Sequence, residues 1–168
     1  MTVPENAHRP TTVEFPNDLE ILITREFDAP IELVFDVLTN PEHVRKTFAP
    51  FEEEVTECSI DLRVGGSYRI VMVTPTGVEC AFSGTYLEVE PPTRTVETWL
   101  FGGWPDAEAI ETITLQEVDG VTRLTCSTKF RDKAGRAHMD KFDGMIASYD
   151  NIEDYLRSLV ESKATVSG

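Results

Sequence analysis

The chain has 168 residues, 40% of them hydrophobic, which fits one domain and is long enough to bury about two-thirds of its unfolded surface. Fifteen Lys and Arg against thirty Asp and Glu leave a net charge of −15, which repels phosphate backbones and argues against a nucleic-acid partner. Apolar stretches reach only about five residues where a membrane helix needs about twenty, so no membrane partner is expected.

The start, MTVPENAHRP, lacks the basic-then-apolar order of a secretory leader. Residues 1–18 carry Pro4, Pro10 and Pro16 without an apolar period and read as a flexible tail. Residues 19–27 (LEILITREF) alternate and are β-branched, which predicts a strand. In Asp28-Ala29-Pro30, either of the first two residues can cap a helix and Pro30 suits its first turn. Ile31, Val34, Phe35 and Leu38 then recur at helical spacing, and Asn40-Pro41-Glu42 opens a second short helix to about Thr47.

From residue 52 to 130 the period becomes two. Runs at 53–60, 67–73, 78–89, 95–100, 110–117 and 122–130 read as strands, separated by Gly65-Gly66, Pro75-Thr76-Gly77, Pro91-Pro92 and Asp119-Gly120. Short turns between them predict an antiparallel meander. Helical spacing returns at 140–161, where Phe142, Met145, Tyr149, Ile152 and Leu156 share one face. Residues 163–168 read as a frayed end, leaving 19–162 as the single domain.

The expected order is β-α-α-β6-α, an α+β fold in which a seven-stranded antiparallel sheet wraps around a long C-terminal helix. One helix about 10 Å wide cannot fill the trough of so broad a curved sheet. A hollow between helix and sheet is the main functional expectation.

Several motifs occur in a characteristic order: Phe27-x-Ala29-Pro30-x-Glu32-x-Val34-Phe35, Thr39-x-Pro41-Glu42, Asp61-Leu62-Arg63-Val64-Gly65-Gly66-x-Tyr68-Arg69, Gly77, Gly84-x-Tyr86-x-Glu88-Val89-x-Pro91-Pro92-x-Arg94, Thr122-Arg123-Leu124-Thr125 and Gly144-Met145. Together they resemble the bacterial proteins related to the activator of Hsp90 ATPase, within the START/Bet v-like (SRPBCC) superfamily. The resemblance runs from about Leu19 to Leu159. It implies a helix-grip fold with a deep apolar pocket, but no single reaction, since such relatives include lipid binders, aromatase/cyclases and a co-chaperone domain. Against that pattern, Phe48 and Tyr149 stand where relatives usually carry Trp. Ser148 replaces a Gly, and Glu97 occupies a commonly aromatic or aliphatic position.

Strand parity places Tyr68, Ile70 and Met72 on one face. Cys80, Phe82, Gly84 and Tyr86, then Trp99, Ile113, Leu115, Leu124 and Cys126, continue the concave set. Phe48 and Trp104 fall in loops at the expected mouth, with Trp104, between Gly-Gly and Pro, reading as a flap. Met145 and Tyr149 face inward from the helix. Tyr, Trp and Met in such a set suit a mixed ligand pocket. Glu88, Glu97 and Glu111 share the inward parity and could supply a proton donor, a base or a polar anchor.

The remaining motifs read as structural. Gly65-Gly66 makes a turn that Asp61 and Arg63 brace, and Lys129–Arg136 forms a solvated basic loop. Tyr149, Tyr155 and Ser148 show no pairing with a histidine, and His8, His43 and His138 lack metal-site spacing. Cys58, Cys80 and Cys126 read as reduced, buried thiols of a cytoplasmic protein. No metal or cofactor is expected. The leading reading is a binder of a small hydrophobic or aromatic molecule. The alternatives are a polyketide cyclase/aromatase-like enzyme using cavity carboxylates, and a chaperone or stress-response interaction module. A homodimer through an edge strand stays open.

Overall fold

Alternating apolar residues build one eight-stranded antiparallel sheet: β1 (Thr12–Asn17), β2 (Glu20–Phe27), β3 (Glu54–Ile60), β4 (Ser67–Val73), β5 (Glu79–Glu90), β6 (Arg94–Phe101), β7 (Ala109–Val118) and β8 (Val121–Phe130). The spatial order is β1-β2-β8-β7-β6-β5-β4-β3. Four helices accompany it: α1 (Ile31–Thr39), α2 (Pro41–Thr47), α3 (Lys133–His138) and α4 (Asp143–Val166). The structure, a computed structural model, describes residues 8–49, 53–102, 108–138 and 143–166. Among these, no helix is long and apolar enough to cross a membrane.

The helix-grip architecture is as expected, with eight strands instead of seven. The extra one is β1, in the segment read as a loose tail. Thr12, Val13 and Glu14 pair with Thr24, Ile23 and Leu22, and the register shifts before Asn17. Pro16 is tolerated there because an edge strand needs no donor on its open side. Helix α3 occupies part of the basic stretch read as loop, and α4 continues past residue 163, where fraying was expected. Pro30 is the N-cap residue of α1 rather than part of its first turn, and its side chain makes no cap bond. Instead, the Ile31 N–H donates to Glu117 Oε1 of β7 at 2.7 Å, so a distant carboxylate satisfies the helix end. Helix α2 starts as its sequence predicts, with Asn40 Oδ1 accepting from the Glu42 N–H at 3.1 Å.

Gly65 adopts φ +84° at the β3–β4 turn, and Asp61 braces it through Arg63 Nε at 2.9 Å. Gly84 has a different role: a Cβ there would collide with the Thr98 carbonyl oxygen of the paired strand β6. Replacing Gly84 with Ala therefore forces β5 and β6 apart. The expected loss is about 1–3 kcal/mol of unfolding free energy by urea titration. An unchanged midpoint would contradict this close approach.

Helix α4 packs on α1, α2 and β2. Its Ile152 and Leu156 join a core with Ile21, Ile23, Phe27 and Leu124. A second core cluster gathers Val44, Cys58, Tyr68, Ile70 and Tyr86 beneath α2, and Leu62 touches both. The inner face of the sheet centre lies between these two cores.

Candidate functional site

Strand register sets inward residues in rows across the sheet. One row holds Tyr86, Glu97, Glu111 and Thr128, with Glu97 directly opposite Glu111. The next row on one side holds Trp99, Ala109 and Phe130, and on the other Thr95, Ile113 and Cys126. Two carboxylates directly opposite on one sheet face repel each other. Burial makes the repulsion worse, because Glu97 is only 4% exposed. Burial first, and then the charge of Glu111, push the Glu97 carboxyl up to about 9. Burial also raises Glu111. The pair thus keeps at least one proton at neutral pH, shared between the two carboxyls. Glu111 and Thr95 both hydrogen-bond the Glu97 carboxyl, and no N–H or hydroxyl reaches its buried Oε2.

A polar chain leads from this pair to α4: Glu111 meets the Cys126 thiol, and Cys126 meets the Tyr149 hydroxyl. Burial raises both Cys126 and Tyr149 well above their ordinary values, so both stay protonated. Tyr86 is likewise raised, chiefly by burial and then by Glu97. Tyr68 is committed elsewhere, donating to the Thr98 carbonyl at 2.8 Å.

Aromatic rings line the trough beside the pair. Phe82 lies 5.2 Å from Phe48, 5.2 Å from Phe101 and 5.9 Å from Trp99, centroid to centroid. Trp99 meets Phe130 edge-on at 6.2 Å. Phe82, Trp99, Glu111, Ile113, Met145 and Tyr149 face inward yet remain only half-buried. They are less tightly enclosed than the closed core of Ile21, Ile23 and Leu124. A small cavity of about 30 Å³ under α1 touches Glu97, Tyr86, Thr95 and Ile113, large enough for one water. A larger pocket of about 230 Å³ lies on another side, between Phe27 of β2 and Leu156 and Arg157 of α4, and takes none of the candidate residues.

The candidate residues divide. Glu97, Glu111, Tyr86, Trp99, Ile113 and Tyr149 gather at the carboxyl pair, Phe82 stands beside Trp99, and Phe48 packs on Phe82. Met72 pairs with Cys80, three rows away from the carboxyls, or about 20 Å by strand rise. Glu88 does not face inward. The register shifts between Tyr86 and Glu88, leaving Leu87 and Glu88 exposed, and the Glu88 carboxylate accepts from Arg94 at 3.2 Å. Trp104 and Phe142 lie outside the described residues.

A histidine pairing is present where none was expected. His43 Nδ1 and the Tyr155 hydroxyl are 2.6 Å apart, and His43 Nε2 is 3.0 Å from Asp36 Oδ2, tying α1, α2 and α4 together. Arg25, buried on the inward side of β2, was also not anticipated. It meets Asp150 at 2.9 Å and Glu153 at 3.3 Å on α4. Ser148 and Asn151 pin the same helix to the end of α2, donating to the Phe48 and Ala49 carbonyls at 2.7 and 2.9 Å. Ligand atoms of His8, Glu153 and Asp154 lie within 4.8 Å of one another. Arg25 and Arg157 already neutralise those carboxylates, so the group fits an ion-pair network better than a metal site.

No curated protein matches the chain. Solved structures do. A protein from Rhodobacter sphaeroides aligns with TM-score 0.81 at 24% identity, covering 88% of this chain and 99% of that one. A protein from Nitrosomonas europaea gives 0.76 at 27% identity over 86% and 98%. DynU16, from the dynemicin biosynthetic locus, gives 0.65 at 23% identity over 84% of this chain and 48% of its own. The family described as Activator of Hsp90 ATPase homolog 1-like protein matches residues 28–157. With a matching fold over 88% of the chain and that family match across most of its length, the chain belongs to the Activator of Hsp90 ATPase homolog 1-like family.

Proposed function

We propose that the protein binds a small, mainly apolar or aromatic molecule between the sheet and α4, oriented by the Glu97–Glu111 pair. The observation that carries this reading is the carboxyl pair itself, set among half-buried aromatic side chains with one Glu97 oxygen that no N–H or hydroxyl reaches. A fold gains nothing in stability by facing two carboxyls across a buried sheet, so a ligand group that satisfies them gives the arrangement a use. Apolar burial supplies affinity at about 25 cal/mol per Å², before the costs of association.

The test uses N-phenyl-1-naphthylamine as a fluorescent apolar probe and 2-naphthol as competitor. Saturable binding of one probe per chain, displaced by the naphthol, is expected. Glu97→Gln and Glu111→Gln are expected to weaken naphthol binding roughly tenfold, the worth of one charge-assisted hydrogen bond. Absence of saturable binding removes the reading, and unchanged naphthol affinity in both variants removes the carboxyls from it.

A second reading is favoured by the held proton. One carboxyl of a coupled pair can donate to a leaving hydroxyl while its partner takes a proton, as a cyclase/dehydratase of the polyketide type requires. Release of water from a bound β-hydroxy ketone, lost in Glu97→Gln, would favour it over simple binding.

A further inference from the structure

We propose that the molecule seated at the Glu97–Glu111 pair is an amine, bound as its ammonium ion between the two carboxyls with its aromatic or aliphatic body against Trp99 and Phe82. The inference rests on the binding reading above and narrows it to one chemical class.

Three observations lead to it. First, the inward polar set pairs two carboxyls with neutral hydroxyls and a thiol and brings no cation to them. Glu97 comes from β6, Glu111 from β7, Cys126 from β8, Tyr86 from β5, Tyr68 from β4 and Tyr149 from α4. Arg25 on β2 acts on Tyr149, but its charge is answered by Asp150 and Glu153. Arg94 beside the small cavity is answered by Glu88. No cationic side chain among the described residues is left over for the pair.

Second, Glu97 is more than nine-tenths buried, and beyond Thr95 and the proton shared with Glu111 no N–H or hydroxyl reaches its Oε2, so an entering donor has a defined atom to meet. An ammonium carries three donors and can serve both carboxyls at once. Third, the groups flanking the pair are aromatic: Tyr86 directly across from Glu97, Trp99 two residues along the same strand, and Tyr149 above Cys126. Aromatic faces favour a cation and still accommodate an apolar body. The net charge of −15 draws cations from solution and disfavours anionic ligands.

Charge and protons balance simply. An ammonium entering a pair that carries one proton displaces that proton to solvent, leaving two carboxylates around one cation. An amine entering unprotonated takes the same proton from the pair, and none is released. At pH 7.5 an alkylamine is almost wholly ammonium, so close to one proton leaves per amine bound.

The experiment compares tryptamine, indole-3-ethanol and indole-3-propionate, which share a ring system and differ in the end group. Isothermal titration at pH 7.5 in phosphate and in Tris reads affinity and proton release together. Tryptamine is expected to bind at least tenfold tighter than the alcohol, with the acid weakest and close to one proton released per tryptamine. In Glu97→Gln and Glu111→Gln, checked for folding by circular dichroism, the preference for amine over alcohol is expected to fall below threefold. Proton release from the unaltered protein needs no variant, so misfolding of the variants would not shield the proposal. Equal or tighter binding of the alcohol, or tryptamine binding without proton release, overturns the amine assignment while leaving the binding reading intact. Failure of N-phenyl-1-naphthylamine together with all three indoles overturns both.

Discussion

Replacing Glu97 by Gln is expected to stabilise the protein at alkaline pH. The sign follows from proton binding. In the unfolded chain a glutamate loses its proton near 4.3, whereas in the folded chain burial and Glu111 hold the Glu97 proton until about 9. Between those values the folded state binds more protons than the unfolded state, so stability falls as pH rises. The favourable contribution is complete below the unfolded value and gone once pH has passed through the folded one. The slope is at most about 1.4 kcal/mol per pH unit for one proton, and coupling to Glu111 spreads it over the pair. Gln fills the same volume and has no proton to lose. The unaltered protein should therefore lose thermal stability steadily from pH 6 to 9, while Glu97→Gln should hold a flatter profile. At pH 9 the variant is expected to melt higher by roughly 5–10 °C, which corresponds to a few kcal/mol in a chain of this size. Thermal melts followed by circular dichroism across that pH series decide it. Parallel profiles for the two proteins would mean that Glu97 is solvated and that the carboxyl pair is not held as described.

The same measurement bears on function. A pair that lowers stability at the pH of use and cannot be explained by packing points to a role in binding or chemistry. If Glu97→Gln is both more stable and weaker in binding the indole amine, stability and activity are opposed at one atom.

Much of this site was legible from period-two spacing, because inward parity depends only on counting residues from a buried neighbour. Glu97 and Glu111 each sit an even number of places from Trp99 and Ile113, and both face inward. Counting failed at Glu88, where one extra residue, Leu87, in the β5–β6 pairing reverses the faces beyond it. It failed at β1 for another reason: prolines usually mark loops, and an edge strand is the exception. Arg25 had the inward parity of Ile21, Ile23 and Phe27, but a lone cation in a strand gives no sign of its partner. Glu153 is 128 residues away, and the His43–Tyr155 contact spans 112. Such contacts are products of the tertiary fold, and no local spacing carries them.

Arg25→Met is expected to cost about 3–5 kcal/mol of unfolding free energy, the usual penalty for removing one partner of a buried ion pair. Arg25 has no exposed surface and joins β2 to α4 through Asp150 and Glu153, while also donating to the Thr11 hydroxyl at 2.6 Å. Its loss leaves Glu153, whose side chain is only 7% exposed, with the Arg9 backbone N–H at 2.9 Å from Oε1 and the half-exposed Arg157 guanidinium at 3.5 Å from Oε2. The cost comes from a buried carboxylate left with only the more exposed Arg157 as its charge partner, more than from the lost attraction. Adding Glu153→Gln to Arg25→Met should therefore recover much of the stability, even though it removes a second charged group. Urea titrations of both proteins and of Glu153→Gln alone form the cycle that separates these effects. Because these contacts hold α4 over the trough, indole-amine affinity should fall with Arg25→Met and return in part with the double variant. A single variant as stable as the unaltered protein would mean that α4 is positioned by its apolar contacts and its bonds to α2, with the buried charges contributing nothing net.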